Sequence, residues 1–344
     1  MKTTVTALAS FVTLTALAAP AAVAAPLTAQ QILTQFNLVT LGDAVSSNQQ
    51  VDGRSFIGGS LIGGKFGMWP GAMGSSDYAG LTVMGSASGV QVHHQGAVVL
   101  GSLSDSRVIQ GSSSVLGTAL NNHFNGPSYV AGASANNKFN GGKLSQATAA
   151  AQAANNSNFA AEIKGLSSSL SQLASTGSTV NISDQGNRVT FSAVANSQGL
   201  AVFDLSSLDK QIFSKGEFAF DLKGANTVIF NVDETSLNFA SKFLNGSASE
   251  LGSKVIWNFH QATDLTIHNQ FGGVILAPNA TLNNYNTIQG SVLVNQLNQG
   301  GKITWNGFTG DITTAVPEPA TYALLLSGLG LLGWLARGRR PDAS

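Results

Sequence analysis

The chain of 344 residues contains no cysteine. Disulfides, thiolate metal sites and a cysteine nucleophile are therefore excluded, and stability in an oxidising compartment must come from packing alone. Charge is scarce as well: Asp, Glu, Lys and Arg make up 10% of residues, with 17 basic against 17 acidic. Setting aside the two terminal segments leaves 13 basic and 15 acidic residues in the body. That balance gives no sign of a nucleic-acid partner, which needs a basic face. The low charge is not that of a disordered chain, because 43% hydrophobic residues suffice for a core. Glycine is plentiful, 39 residues, and Asn, Ser and Thr are abundant. This composition suits extended structure with many tight corners.

Both ends carry targeting patterns. Residues 1–24 read as a secretory signal peptide: Lys2 supplies the positive start, Val5 to Ala19 the apolar segment, and Ala22-Val23-Ala24 the small residues before cleavage. Residues 315–344 have three parts. Val316-Pro317-Glu318-Pro319-Ala320 is short and rigid, and the helix can start only after Pro319. Residues 321–336 form an apolar run of 16 residues, somewhat short of the ~20 that span hydrocarbon untilted. Trp334 and the closing Arg337, Arg339 and Arg340 reach the headgroups and make up the shortfall. A transmembrane helix over 321–336 is predicted, with its arginines cytoplasmic and residues 25–314 on the outer side.

The body reads as mainly β. From Val51 to Leu116, short apolar steps alternate with glycine, as in Leu81-Thr82-Val83, Gly96-Ala97-Val98-Val99-Leu100-Gly101 and Val108-Ile109-Gln110-Gly111. These predict strands of three to five residues spaced by roughly ten to fifteen, a right-handed β-solenoid (β-helix) rather than a sandwich. Residues 144–176 change character: Phe159, Ile163, Leu166, Leu170 and Leu173 recur at steps of three or four. One α-helix with a break, packed on the sheet, is expected there. Period-two alternation predicts two hairpins, Val180/Ile182 with Val189/Phe191, and Phe218/Phe220/Leu222 with Val228/Phe230/Val232. Gly272 and Gly290 lie 18 residues apart, with Ala280-Thr281-Leu282 and Thr287-Ile288-Gln289 between them. Three short sides in that interval describe one coil, in which Leu276 and Leu293 should point inward.

The tail resembles the PEP-CTERM sorting signal. Val316, Pro317, Glu318 and Pro319 carry the motif, and Arg337, Arg339 and Arg340 the stop. The resemblance implies a Gram-negative envelope, passage through the inner membrane, and cleavage by an exosortase, a membrane cysteine protease. The product would then lie at the cell surface or in the exopolysaccharide or biofilm matrix. The body resembles the choice-of-anchor A domain through Gly53-Arg54, Gly58-Gly59, Trp257-Asn258-Phe259 and Leu276-Ala277-Pro278-Asn279-Ala280. That resemblance spans about residues 30–312 and implies an adhesive surface role, with exopolysaccharide or cell-surface glycans as partners. The order of coils, helix and coils is also similar to ice-binding solenoids.

Catalytic patterns are weak. Gly59 to Lys65 spells G-x-x-x-x-G-K, but Phe66 follows where a P-loop needs Ser or Thr, so the glycines read as corners. Gly328, Gly330 and Gly333 fall inside the apolar tail with no preceding strand. His93 and His94 are adjacent and point to opposite strand faces, and His123, His260 and His268 are scattered, so no metal site is expected. Asp204, Asp209, Asp221, Asp233 and Glu234 read as solvated turn carboxylates. No cofactor and no enzymatic activity are expected. The expected function is adhesive display of Asn, Ser, Thr and Gln on flat sides. The alternatives are a polysaccharide-active β-helix, marked by clustered acids in a groove, and an ice-binding-like protein, marked by an aligned array of threonines.

Overall fold

The computed structural model describes residues 25–183, 186–244 and 247–312. The signal peptide and the sorting tail, with its predicted span over 321–336, lie outside the described residues. Among those described, no helix is long and apolar enough to cross a membrane.

The body is a three-sided solenoid of parallel strands. One coil runs Ala97–Val99, Leu103–Ser104, Arg107–Val108, and the next runs Ser113–Val115, Ala119–Leu120, His123–Phe124. Each residue pairs with its equivalent one coil away, as Leu81 with Ala97, Ala87 with Leu103 and Val92 with Val108. Strands are thus mostly two or three residues long here, and three of them fit in one coil. The sequence pattern marks the first side between its glycines and, as at Val108-Ile109-Gln110-Gly111, the third; the two-residue second side is too short to stand out.

Chain order and spatial order differ. A capping box at Thr28 starts α1 (Ala29–Gln35), which leads directly into the first strand. That strand, Leu38–Thr40, pairs on one edge with Ser55–Ile57 and on the other with the far C-terminal strand Val292–Gln299. The chain therefore begins in the middle of the stack and climbs to Ser128–Val130. It returns along the outside through α2 (Ala149–Ala153) and α3 (Phe159–Ser171), and restarts at Leu200–Asp204. From there it coils back until it meets its own beginning. Asn37 locks this seam: its Nδ2 donates to Gly290 O at 2.7 Å, and its Oδ1 accepts from Gly53 N at 3.0 Å.

The returning helix explains the composition of the first side. Asn158 caps α3 by accepting from Ala161 N. Phe159, Ile163, Leu166 and Leu170 then face Val202, Ile229, Ile256, Val274, Leu276 and Leu293 in one buried cluster. Alternate residues of the same strands, among them Phe203, Phe230, Trp257, Ile275, Val292 and Val294, fill the solenoid interior. A strand apolar on both faces is the mark of a sheet covered on both faces.

This arrangement corrects three expectations. Leu276 and Leu293 are indeed paired on neighbouring coils and buried, but they lie under α3; Ile275 and Val292 are the inward residues. The repeat there is 17 residues rather than 18, because the equivalent glycines are Gly273 and Gly290. Both have positive φ, +114° and +143°, and a Cβ on Gly273 would sit 2.8 Å from the Trp257 ring. Finally, Thr179–Ile182 and Arg188–Ser192 form the predicted antiparallel hairpin, but Glu217–Asp221 and Thr227–Val232 do not. They occupy different sides and pair in parallel with other coils. A solenoid corner at Gly224 has the same alternation and the same turn residues as a hairpin; only long-range pairing separates them.

Candidate functional site

The residues singled out from sequence do not converge on one pocket; most of them build the solenoid. Trp257 and Phe259 point into the interior, and Trp257 stacks on Phe230 at 4.1 Å between ring centroids. Asn258 points the other way and is fully buried beneath α3. Its Nδ2 donates to Ser167 O and Asn231 Oδ1, each at 2.9 Å, and its Oδ1 accepts from Ser167 Oγ. A buried amide must find such partners, and these tie helix to sheet. Leu276, Ala277, Pro278 and Ala280 are buried around the first corner, where the strand register shifts between Ala277 and Thr281; Asn279 alone is exposed. Gly58 and Gly59 stack on the corner at Leu41–Asp43 of the adjacent coil, and Asp43 Oδ1 accepts from Ser60 N at 2.7 Å. The G-x-x-x-x-G-K pattern is thus a pair of corners, with Lys65 opening a third-side strand.

Arg54 is buried without a carboxylate partner. Its guanidinium donates to the carbonyls of Gln35, Gly74 and Tyr78 and to Gln95 Oε1, holding α1 and the 69–80 loop to the coil. Burial pulls its pKa down to about 10, so the group stays charged at neutral pH.

Apart from the adjacent His93 and His94, the histidines are scattered. His94 pairs with Gln110, and His268 stacks on Tyr285 at 5.3 Å. Burial, then the charges of His94 and Lys65, hold His93 below the ordinary imidazole range. Among the described residues no group of three or more His, Cys, Asp or Glu side chains is placed to hold a metal ion.

One carboxylate departs from the solvated reading. Asp204 and Asp221 are exposed as expected, but Asp209, at the start of α4 (Asp209–Phe213), is buried. Its Oδ1 accepts from Lys210 N at 2.8 Å, Oδ2 has no donor, and the carboxyl lies against that of Asp233, with which it can only share a proton. Burial first, then Asp233 and the charge of Glu234, push Asp209 up from 3.8 to about 6. Nothing in the spacing of these three acids announces the contact; the fold of α4 creates it. The folded chain holds this proton more tightly than the unfolded chain. Stability from this site is therefore present at low pH and is lost as pH rises from about 4 through about 6. Asp209→Asn should raise stability by on the order of 1–3 kcal/mol at pH 8 and leave it unchanged below pH 4. Urea unfolding at the two pH values checks this, and a variant that loses stability at pH 8 contradicts it.

Two sides face solvent in ordered rows. On the second side the outward row runs Asn238, Thr266, Asn283, Asn298, Val45, Ile62, Ser88, Ser104, Leu120 and Ala135, each paired with the next. Asn298 Nδ2 donates to Asn283 Oδ1 at 2.8 Å, so part of the amide ladder is held in place. On the third side the outward row is Gln50, Lys65, Gln91, Arg107, His123 and Lys138. A shallow groove of about 520 Å³ lies at its corner, lined by Gln91, Asp105, Arg107, Asn121 and His123. The basic row is not visible in the sequence, because its members are 15 to 26 residues apart in the chain.

A solenoid that spends its packing on holding flat rows of side chains toward solvent is a surface-presenting scaffold. The chain belongs to the family described as "Putative Ice-binding-like adhesive domain", whose model matches residues 29–305. The family named is not choice-of-anchor A, although the match covers nearly the same span. A PEP-CTERM protein-sorting motif matches residues 315–340. No curated protein and no solved structure matches the chain. The adhesive-type domain and the sorting motif together make this an exported surface protein, sorted through a membrane-anchored step and processed by exosortase.

Proposed function

We propose that the protein is a non-catalytic adhesin of a Gram-negative envelope, of the choice-of-anchor A kind. It is held in the inner membrane until exosortase cleavage and then displayed on the surface or in the exopolysaccharide matrix. The observation that carries this reading is the uninterrupted outward row of the second side, ten residues in register and rich in amides and hydroxyls. Side chains already ordered on a sheet lose little entropy on binding, so many weak contacts to glycan add up. The threonines favour adhesion over ice binding. Thr266 and Thr281 lie in different columns of the second side, and Thr304 is on the third, so they form no array. Of the paired acids Asp209 is buried and Asp233 half-buried, an arrangement that serves a proton-sharing contact better than attack on a polymer.

Cells lacking the chain should be retained less on glycan-coated surfaces and in their own matrix than cells in which it is restored. Retention counts under flow measure this. Equal retention of the two strains would rule the adhesive reading out.

A further inference from the structure

We propose that the third side binds a linear acidic polysaccharide along the row Lys65, Gln91, Arg107, His123 and Lys138, by pairing with its carboxylates. The proposal rests on the adhesive reading and names its ligand class.

The row is fixed by the fold. Lys65 pairs with Gln91, Gln91 with Arg107, Arg107 with His123, and His123 with Lys138. The adjacent residues Phe66, Val92, Val108, Phe124 and Phe139 pack on the core, so strand alternation sends the row outward. Neighbouring rungs lie about 4.8 Å apart, which puts Lys65, Arg107 and Lys138 on alternate rungs about 9.6 Å apart, with His123 between two of them.

The charge of the row is not neutralised. The ion pairs among the described residues use Arg188, Lys210, Lys223 and Lys302, none of them in the row. The nearest acid at the groove, Asp105, accepts from Asn121 Nδ2 at 3.1 Å. In a chain with only 10% charged residues and no net charge, this is a local concentration of one sign. These outward side chains make no ion pair among the described residues and their strand neighbours do the packing, so the core gives no reason for cations on alternate rungs, whereas an anionic polymer does.

The spacing selects the polymer. A nucleic-acid strand carries a charge about every 3.4 Å along its axis, several for each cation here. It also needs aromatic platforms for its bases, and the row has none. A sugar chain with sparse carboxylates fits the cations, and the amides of Gln91 and Asn121 are placed to take its hydroxyls. Separate weak pairs along one polymer combine by multivalency.

The test measures binding of the full chain, purified in detergent, to immobilised polygalacturonate, with dextran as the uncharged polymer and oligo(dT) as the polyphosphate. The triple variant Lys65→Gln, Arg107→Gln, Lys138→Gln should bind polygalacturonate about tenfold more weakly and lose most of the salt dependence. A control, K164Q/K210Q/K223Q, removes the same charge from exposed positions off the row and should bind like the wild type. Equal binding by the two triple variants overturns the proposal, as does stronger binding to oligo(dT) than to polygalacturonate. If the wild type ignores polygalacturonate while cells carrying it still adhere, the basic row is refuted and the adhesive reading stands. If those cells do not adhere either, both fall.

Discussion

Trp257→Ala should destabilise the solenoid by about 3–5 kcal/mol, the largest loss expected for one buried side chain here. Trp257 is fully buried, stacked on Phe230, which in turn stacks on Phe203 at 4.6 Å. The three rings occupy equivalent positions on successive coils, so removing one leaves a void that its neighbours cannot fill without shifting register. The indole Nε1 also donates to Gly272 O at 3.0 Å. Trp257→Phe keeps most of the stacking but orphans that buried carbonyl, and should cost about 1–3 kcal/mol. Because coils contact mainly their neighbours, the loss should be local. Hydrogen exchange should accelerate first in Thr227–Val232, Val255–Phe259 and Val274–Asn284, while Ala97–Val99 stays protected. Uniform acceleration along the whole solenoid would show that the coils melt as one unit.

Glu318→Ala should block release of the protein while leaving its membrane insertion intact. Glu318 lies between Pro317 and Pro319, outside the apolar run, and a hydrophobic anchor has no use for it. We propose that it serves recognition by exosortase, since the PEP-CTERM sorting motif matches residues 315–340. Full-length chain should accumulate in the membrane fraction of the variant, and mature chain should fall in the matrix. Mass spectrometry of the released wild-type C-terminus provides the second check. Released protein that still carried Leu331 to Arg340 would mean that no sorting cleavage occurs and that the tail is a plain anchor.

The sequence by itself determined the kind of architecture and the destination. Glycine-bracketed apolar steps require short extended segments with sharp corners, and Phe159, Ile163, Leu166 and Leu170 require a helix with one buried face. The sorting tail is equally local: its prolines, apolar run and arginines act through their order along the chain. Tertiary structure alone decided what depends on contacts between distant residues. Alternation shows that Leu276 and Ile275 lie on opposite faces, but both faces of that strand are apolar, so only the path of α3 reveals which is the lumen. The parallel joining of Leu38–Thr40 to Val292–Gln299 leaves no periodic trace, because either strand would suit any neighbour of similar hydrophobicity. Asp209 meets Asp233 only through the fold of α4. Lys65, Arg107, His123 and Lys138 are isolated in a chain of low charge and become a row only once the coils stack in register. A coil converts a sequence spacing of about sixteen residues into a single rung, and that conversion cannot be read until the pairing is known.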